Sequence, residues 1–133
     1  MFVTALGGPD VTAPDAPPVA AFHAAASAAV SAFAQDGALD RTLTMPMGEV
    51  PATLVLNLAA TDMFVHGWDV AKATGQPTDL DPPLAEELLG VVRQMLTPQF
   101  RGAEGQAAFG PEQTAPDGAT AADRLAAFTG RRI

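Results

Sequence analysis

A chain of 133 residues with 48% apolar content can bury roughly two thirds of its unfolded surface, so a packed core is expected and wholesale disorder is not. The net charge of −8, with only Arg131 and Arg132 adjacent among seven basic residues, excludes the clustered cations that nucleic-acid binding requires. Cysteine is absent, which removes disulfides, thiolate metal ligands and a Cys nucleophile.

Alanine, the strongest helix former, is the commonest residue, and β-branched residues are sparse outside the middle of the chain. An all-α fold is therefore expected. Residues 1–8, MFVTALGG, read as the last turns of a helix closing on a glycine pair, followed by a proline-rich loop in which Asp15 is a candidate N-cap. Val19, Phe22, Ala26, Val30 and Phe33 then recur at spacings of three and four, which predicts an amphipathic helix over 17–35 ended by Gly37.

The alternation of Leu39, Arg41, Leu43 and Met45 predicts a short extended segment near 39–46. Glu49 reads as an acid in the first turn of the longest helix, 50–74, which Gly75 and Pro77 stop. Asp81 caps the next helix, with Pro82 at its first position and its end near Thr97. A turn-rich tail leads to a short last helix at AADRLAAF. There is no internal repeat, and one domain over 1–133 is expected. No apolar run reaches the roughly 18 residues of a membrane span, and the N-terminus lacks a basic n-region, so a soluble cytoplasmic protein with no membrane partner is expected.

The chemistry concentrates in TDMFVHGWDV, residues 61–70. At about 100° per residue, Asp62, His66 and Asp69 fall on one side of the long helix, four and three residues apart. Apolar residues occupy the other side too, which predicts a helix buried all round, where an unpaired carboxylate is costly. Asp62 and His66 are then candidate ligands of one divalent metal, with Asp69 holding the other ring nitrogen of His66. The same spacing equally describes a simple Asp62–His66 ion pair. His23, with no acid nearby, reads as a surface or boundary residue and Trp68 as core. There is no nucleophile elbow, P-loop or dinucleotide fingerprint.

At VHGWDVAKATGQPTDLDPPLAEELL the sequence resembles the DinB-like, mycothiol-dependent maleylpyruvate isomerase N-terminal domain superfamily, nearest an uncharacterised actinobacterial branch of metal-binding proteins. LDRTLTMPMGEVPA, FRGAEGQAAFGPEQTAPDGA and DRLAAFTGRR agree, so the resemblance covers essentially the whole chain. It implies an up-and-down four-helix bundle, here truncated at the N-terminus, around a divalent metal, with zinc first and nickel or iron as alternatives.

In that superfamily the metal takes one His from the second helix and an acid-or-His/x/x/x/His pair from the third, which falls on Asp62 and His66. Activities there include thiol transfer and isomerisation with mycothiol or a related thiol as cosubstrate. The helix bearing the first His has no match here, and His23 does not replace it. Packing or ligands from a second copy, as a homodimer, are one expectation that follows. The alternative is a non-enzymatic helical dimer or small-molecule-binding module without metal.

Overall fold

The computed structural model describes residues 4, 7, 8, 15–45, 48–103 and 106–133, so the expected helix tail in MFVTALGG and the candidate cap region before Asp15 lie largely outside the described residues. The chain packs as two compact units, Met1–Ala59 and Ala60–Ile133.

In the first unit, α1 spans Pro18–Phe33. Pro17, not Asp15, stands at its N-cap and offers no side-chain cap; a proline in the first turn costs nothing, because that N–H has no helical partner anyway. Val19, Phe22 and Val30, expected to face the core, are exposed. The helix instead buries Ala32, and Ala25, Ala26, Ala28 and Ala29 are half-buried with Phe33, so its inner seam is alanine ending in one phenylalanine.

A 3₁₀ turn at Ala38–Asp40 leads into β1, Thr42–Met45, which pairs antiparallel with β2, Gly48–Pro51. The register sets Leu43 opposite Val50 and Thr44 opposite Glu49. Glu49 is therefore an exposed strand residue and not a first-turn helix acid.

Period-two alternation decides which side of the hairpin is wet: Thr42 and Thr44 face out, while Leu43 and Met45 face in. An isolated hairpin is marginal in water. This one is supported because Leu43 and Met45 join Ala32, Ala52 and Val55 in one apolar cluster, flanked by Phe33 and Val50. The Ala52 N–H also donates to the Arg41 carbonyl at 2.8 Å.

The hairpin corrects the expected all-α, up-and-down four-helix bundle. Among the described residues there are four α-helices and a two-stranded antiparallel sheet. A bundle needs four helices of comparable length, and the last one here has 8 residues, or about 12 Å of helix. The threonines and the inward Leu43–Met45 alternation suit a pleated surface, which overrides the alanine-weighted helical prior in this stretch.

Helix α2, Ala52–Ala73, begins in the first unit and ends in the second. It closes as expected at Gly75: with φ of +69°, the Gly75 N–H donates to the Lys72 carbonyl and the Gln76 N–H to Ala71, the pattern of a Schellman cap.

In the second unit, α3 runs Pro82–Met95. The Asp81 carboxylate accepts from the Leu84 N–H at 3.2 Å, satisfying one orphan donor of the first turn. Helix α4, Ala121–Phe128, coincides with AADRLAAF; the Thr120 hydroxyl caps it by accepting from the Asp123 N–H at 3.1 Å.

Two apolar clusters fill this unit. One joins Val65 with Leu88, Leu89, Val92, Leu96 and Leu125. The other sets Trp68 among Ala85, Ala122 and Ala126. Along α3 the inward residues Ala85, Leu88, Leu89 and Val92 keep the three-four spacing of one helix face. Among the described residues no helix is long and apolar enough to cross a membrane.

Candidate functional site

Helix α2 turns Val65, Trp68 and Ala71 inward, and this places Asp62, His66 and Asp69 on the opposite, outward side. The expectation of a helix buried all round does not hold. The Asp62 and His66 side chains are 59% and 61% exposed, and Met63 and Val70 near them are exposed as well. The desolvation cost that gave the acids weight in the sequence is therefore largely absent. What remains is their geometry.

That geometry brings all three predicted residues together. His66 Nδ1 lies 3.2 Å from Asp69 Oδ2, and His66 Nε2 lies 3.4 Å from Asp62 Oδ1. Arg131, just beyond the end of α4, closes on Asp69 with both edges of its fork: Nε donates to Oδ1 at 3.2 Å and Nη2 to Oδ2 at 3.0 Å. Burial works to raise the Asp69 carboxyl. The paired hydrogen bonds and charge of Arg131, joined by His66, outweigh it and hold Asp69 below its ordinary 3.8.

Asp69 is thus an anchored carboxylate that orients the imidazole through its contact with Nδ1. The other ring nitrogen, Nε2, lies 3.4 Å from the carboxylate of Asp62, so one face of the helix presents an imidazole nitrogen beside a carboxylate oxygen.

Arg131 is the member that sequence reasoning missed. It lies 62 positions from Asp69, beyond any helical spacing rule, and its only signal was membership of the chain's one adjacent basic pair. His23 lies on α1, exposed and edge-on to the Phe22 ring. Among the described residues there is no group of three or more His, Cys, Asp or Glu side chains able to hold a metal ion. Asp62 and His66 supply two donors, since Asp69 is turned toward Nδ1 and Arg131.

Behind the site, Trp68 faces the other way and donates its indole N–H to Asp123 Oδ1 at 2.8 Å. The Thr78 hydroxyl donates to the same oxygen at 3.0 Å. Burial pushes the Asp123 carboxyl up, but these hydrogen bonds and those from Thr120 bring it below 3.8. A depressed folded pKa contributes stability above the unfolded value and loses it as pH falls through the folded one. Wild-type protein is therefore expected to lose stability as pH drops below 3.8, with Asp123→Asn giving a flatter profile in that window, read as denaturation midpoint against pH. Identical profiles would remove Asp123 as a source of acid sensitivity.

No family model matches the chain, and no solved structure matches it. Two curated relatives from Mycobacterium tuberculosis strains, the uncharacterized proteins Rv0738 and MT0763, are each 47% identical to it over 115 residues. The match takes in 86% of this chain and 62% of each relative, so the chain spans less than two thirds of the length of the curated relatives it matches.

Proposed function

We propose that this chain is a divalent-metal-binding protein of the DinB-like, maleylpyruvate-isomerase type, cytoplasmic, acting on a small molecule with a low-molecular-weight thiol such as mycothiol as cosubstrate. Asp62 and His66 would hold the metal, and Asp69 would orient His66. One observation carries the reading: His66 Nε2 and Asp62 Oδ1 stand 3.4 Å apart with the other imidazole nitrogen tied to an anchored carboxylate.

Two donors on a tetrahedral zinc, each about 2.0–2.1 Å from it, lie about 3.3–3.4 Å from one another. The pair therefore fits zinc, and its mixed N and O character also suits nickel or iron. The carboxylate–imidazole arrangement at Nδ1 is the one that orients metal-bound histidines elsewhere. Such a metal, when bound, lowers the pKa of a coordinated thiol or water.

Two protein donors fall short of the usual three or four. The exposed Met63 and Val70 lie on the outward side of α2 near the pair, and covering that side in a homodimer would bring further donors within reach.

Protein purified without a histidine tag is expected to carry stoichiometric zinc or nickel. His66→Ala should lose it while remaining folded, and Asp69→Asn should weaken it by about 10- to 100-fold. No bound metal, together with stability unchanged by chelator, would overturn the reading.

The competing reading, a non-enzymatic dimer or small-molecule-binding module in which Asp62 and His66 are only an ion pair, draws on their exposure and on Asp69 being already paired to Arg131. In that case His66→Ala changes stability by about 0–1 kcal/mol and metal content not at all.

A further inference from the structure

The second unit carries a groove whose lining is separate from the Asp62–His66–Asp69–Arg131 set. It has a volume of about 470 Å³ and runs along Arg93, Gln113, Thr114, Arg124, Ala127 and Phe128. Small-molecule sites occupy roughly 300–1,000 Å³, so the space suits a ligand of modest size.

The charges around the groove run against the character of the chain. Of seven basic residues in a molecule of net charge −8, three gather here. Arg124 is fixed: its Nη2 lies 2.9 and 2.7 Å from the two Glu86 oxygens, and its Nη1 donates to the Ala119 carbonyl at 3.1 Å. Arg93, exposed in the last turn of α3, makes no hydrogen bond or ion pair among the described residues.

Arg101 stacks its guanidinium 4.5 Å from the centroid of Phe128, a ring that also lines the groove. It donates from Nη1 to the carbonyls of Gly110 and Phe128, and among the described residues it meets no carboxylate and keeps Nη2 buried with no partner. A buried guanidinium nitrogen without an acceptor is costly, which marks this corner as short of negative charge. Among the described residues, Glu112, also in the lining, offsets one of the two charges that lack a carboxylate, and the balance of the corner is positive.

We propose that this groove binds a small amphipathic organic anion, with its carboxylate on Arg93 beside the fixed head of Arg124 and its apolar body against Phe128 and Ala127. Guanidinium–carboxylate hydrogen bonds supply orientation. The aromatic and alanine floor supplies apolar burial that an inorganic anion cannot use. The acidic charge of the rest of the chain disfavours polyanions.

The test is an amide-proton NMR titration of the whole chain with phenylacetate, phenylacetamide and inorganic phosphate. Phenylacetate is expected to give saturable shifts at Gln113, Thr114, Ala127 and Phe128, with the neutral amide and phosphate each clearly weaker. Arg93→Gln, an exposed substitution that leaves the remaining spectrum intact, should weaken phenylacetate about tenfold. No saturable shift at these residues, equal binding of the amide, or full affinity in Arg93→Gln overturns the anion site. Phosphate binding as tightly as phenylacetate overturns its amphipathic character.

Discussion

Trp68→Ala is expected to destabilise the protein by about 3–5 kcal/mol, a large part of the roughly 5–15 kcal/mol that holds a small domain folded. Trp68 is 3% exposed, and its ring fills the space left by three small residues, Ala85, Ala122 and Ala126, with Phe64 and Leu80 at the edges. Alanines cannot collapse into the void, so the cavity cost adds to the lost transfer free energy. The indole N–H also leaves Asp123, which keeps its Thr78 and Thr120 hydrogen bonds.

Trp68→Phe separates the two contributions. It retains much of the packing and deletes the hydrogen bond, and should cost about 1–2 kcal/mol. Denaturant titration followed by circular dichroism is the measurement, because Trp68 is the chain's single tryptophan and its fluorescence disappears with it. A loss below about 1 kcal/mol for Trp68→Ala would mean the ring is not the centre of this cluster.

What could be read from the sequence was local. Asp81 capping α3, Gly75 ending α2 and the span of α4 rest on interactions within four or five residues, where side-chain chemistry dictates backbone geometry whatever packs outside. The Asp62–His66–Asp69 cluster was legible for the same reason, since helical spacing alone brings the three together.

Facing was not legible. Val19, Phe22 and Val30 form a regular apolar stripe, yet α1 turns alanine inward, and which face is buried depends on what the rest of the chain presents. The same gap hid the exposure of His66. Periodicity shows that a helix has an apolar side, and α2 has apolar residues on more than one. One strand was visible as alternation at Leu43 and Met45, but its neighbour Gly48–Pro51 was not, because GEVP shows no strand pattern of its own and is extended through its pairing with β1. Arg131 reaches Asp69 and Trp68 reaches Asp123 across 62 and 55 residues, contacts that only the folded chain creates.

Gly130→Ala is expected to cost at least about 3 kcal/mol, from two sources that act together. The residue has φ of +103°, a backbone conformation that strains any side-chain-bearing residue. A Cβ there would lie 2.8 Å from the Cα of Gly110 and 3.0 Å from its C and N atoms, all main chain, so no rotamer relieves the clash. Gly110→Ala meets Gly130 at 3.4 Å and should be far milder, about 1 kcal/mol or less.

The same turn builds the site. The Gly130 N–H donates to Ala127 and the Arg131 N–H to Ala126, the Schellman cap that ends α4 and launches Arg131 toward Asp69. Arg131→Gln alone should cost about 0–1 kcal/mol, as suits a partly exposed ion pair. Adding it to Gly130→Ala should cost less than the sum, because the strained turn has already drawn the guanidinium away. Urea unfolding of the two single variants and the double reads this directly. Strict additivity would mean that Arg131 reaches Asp69 without the help of the turn, and tolerance of Gly130→Ala within error would mean that the close glycine pair does not govern the end of α4.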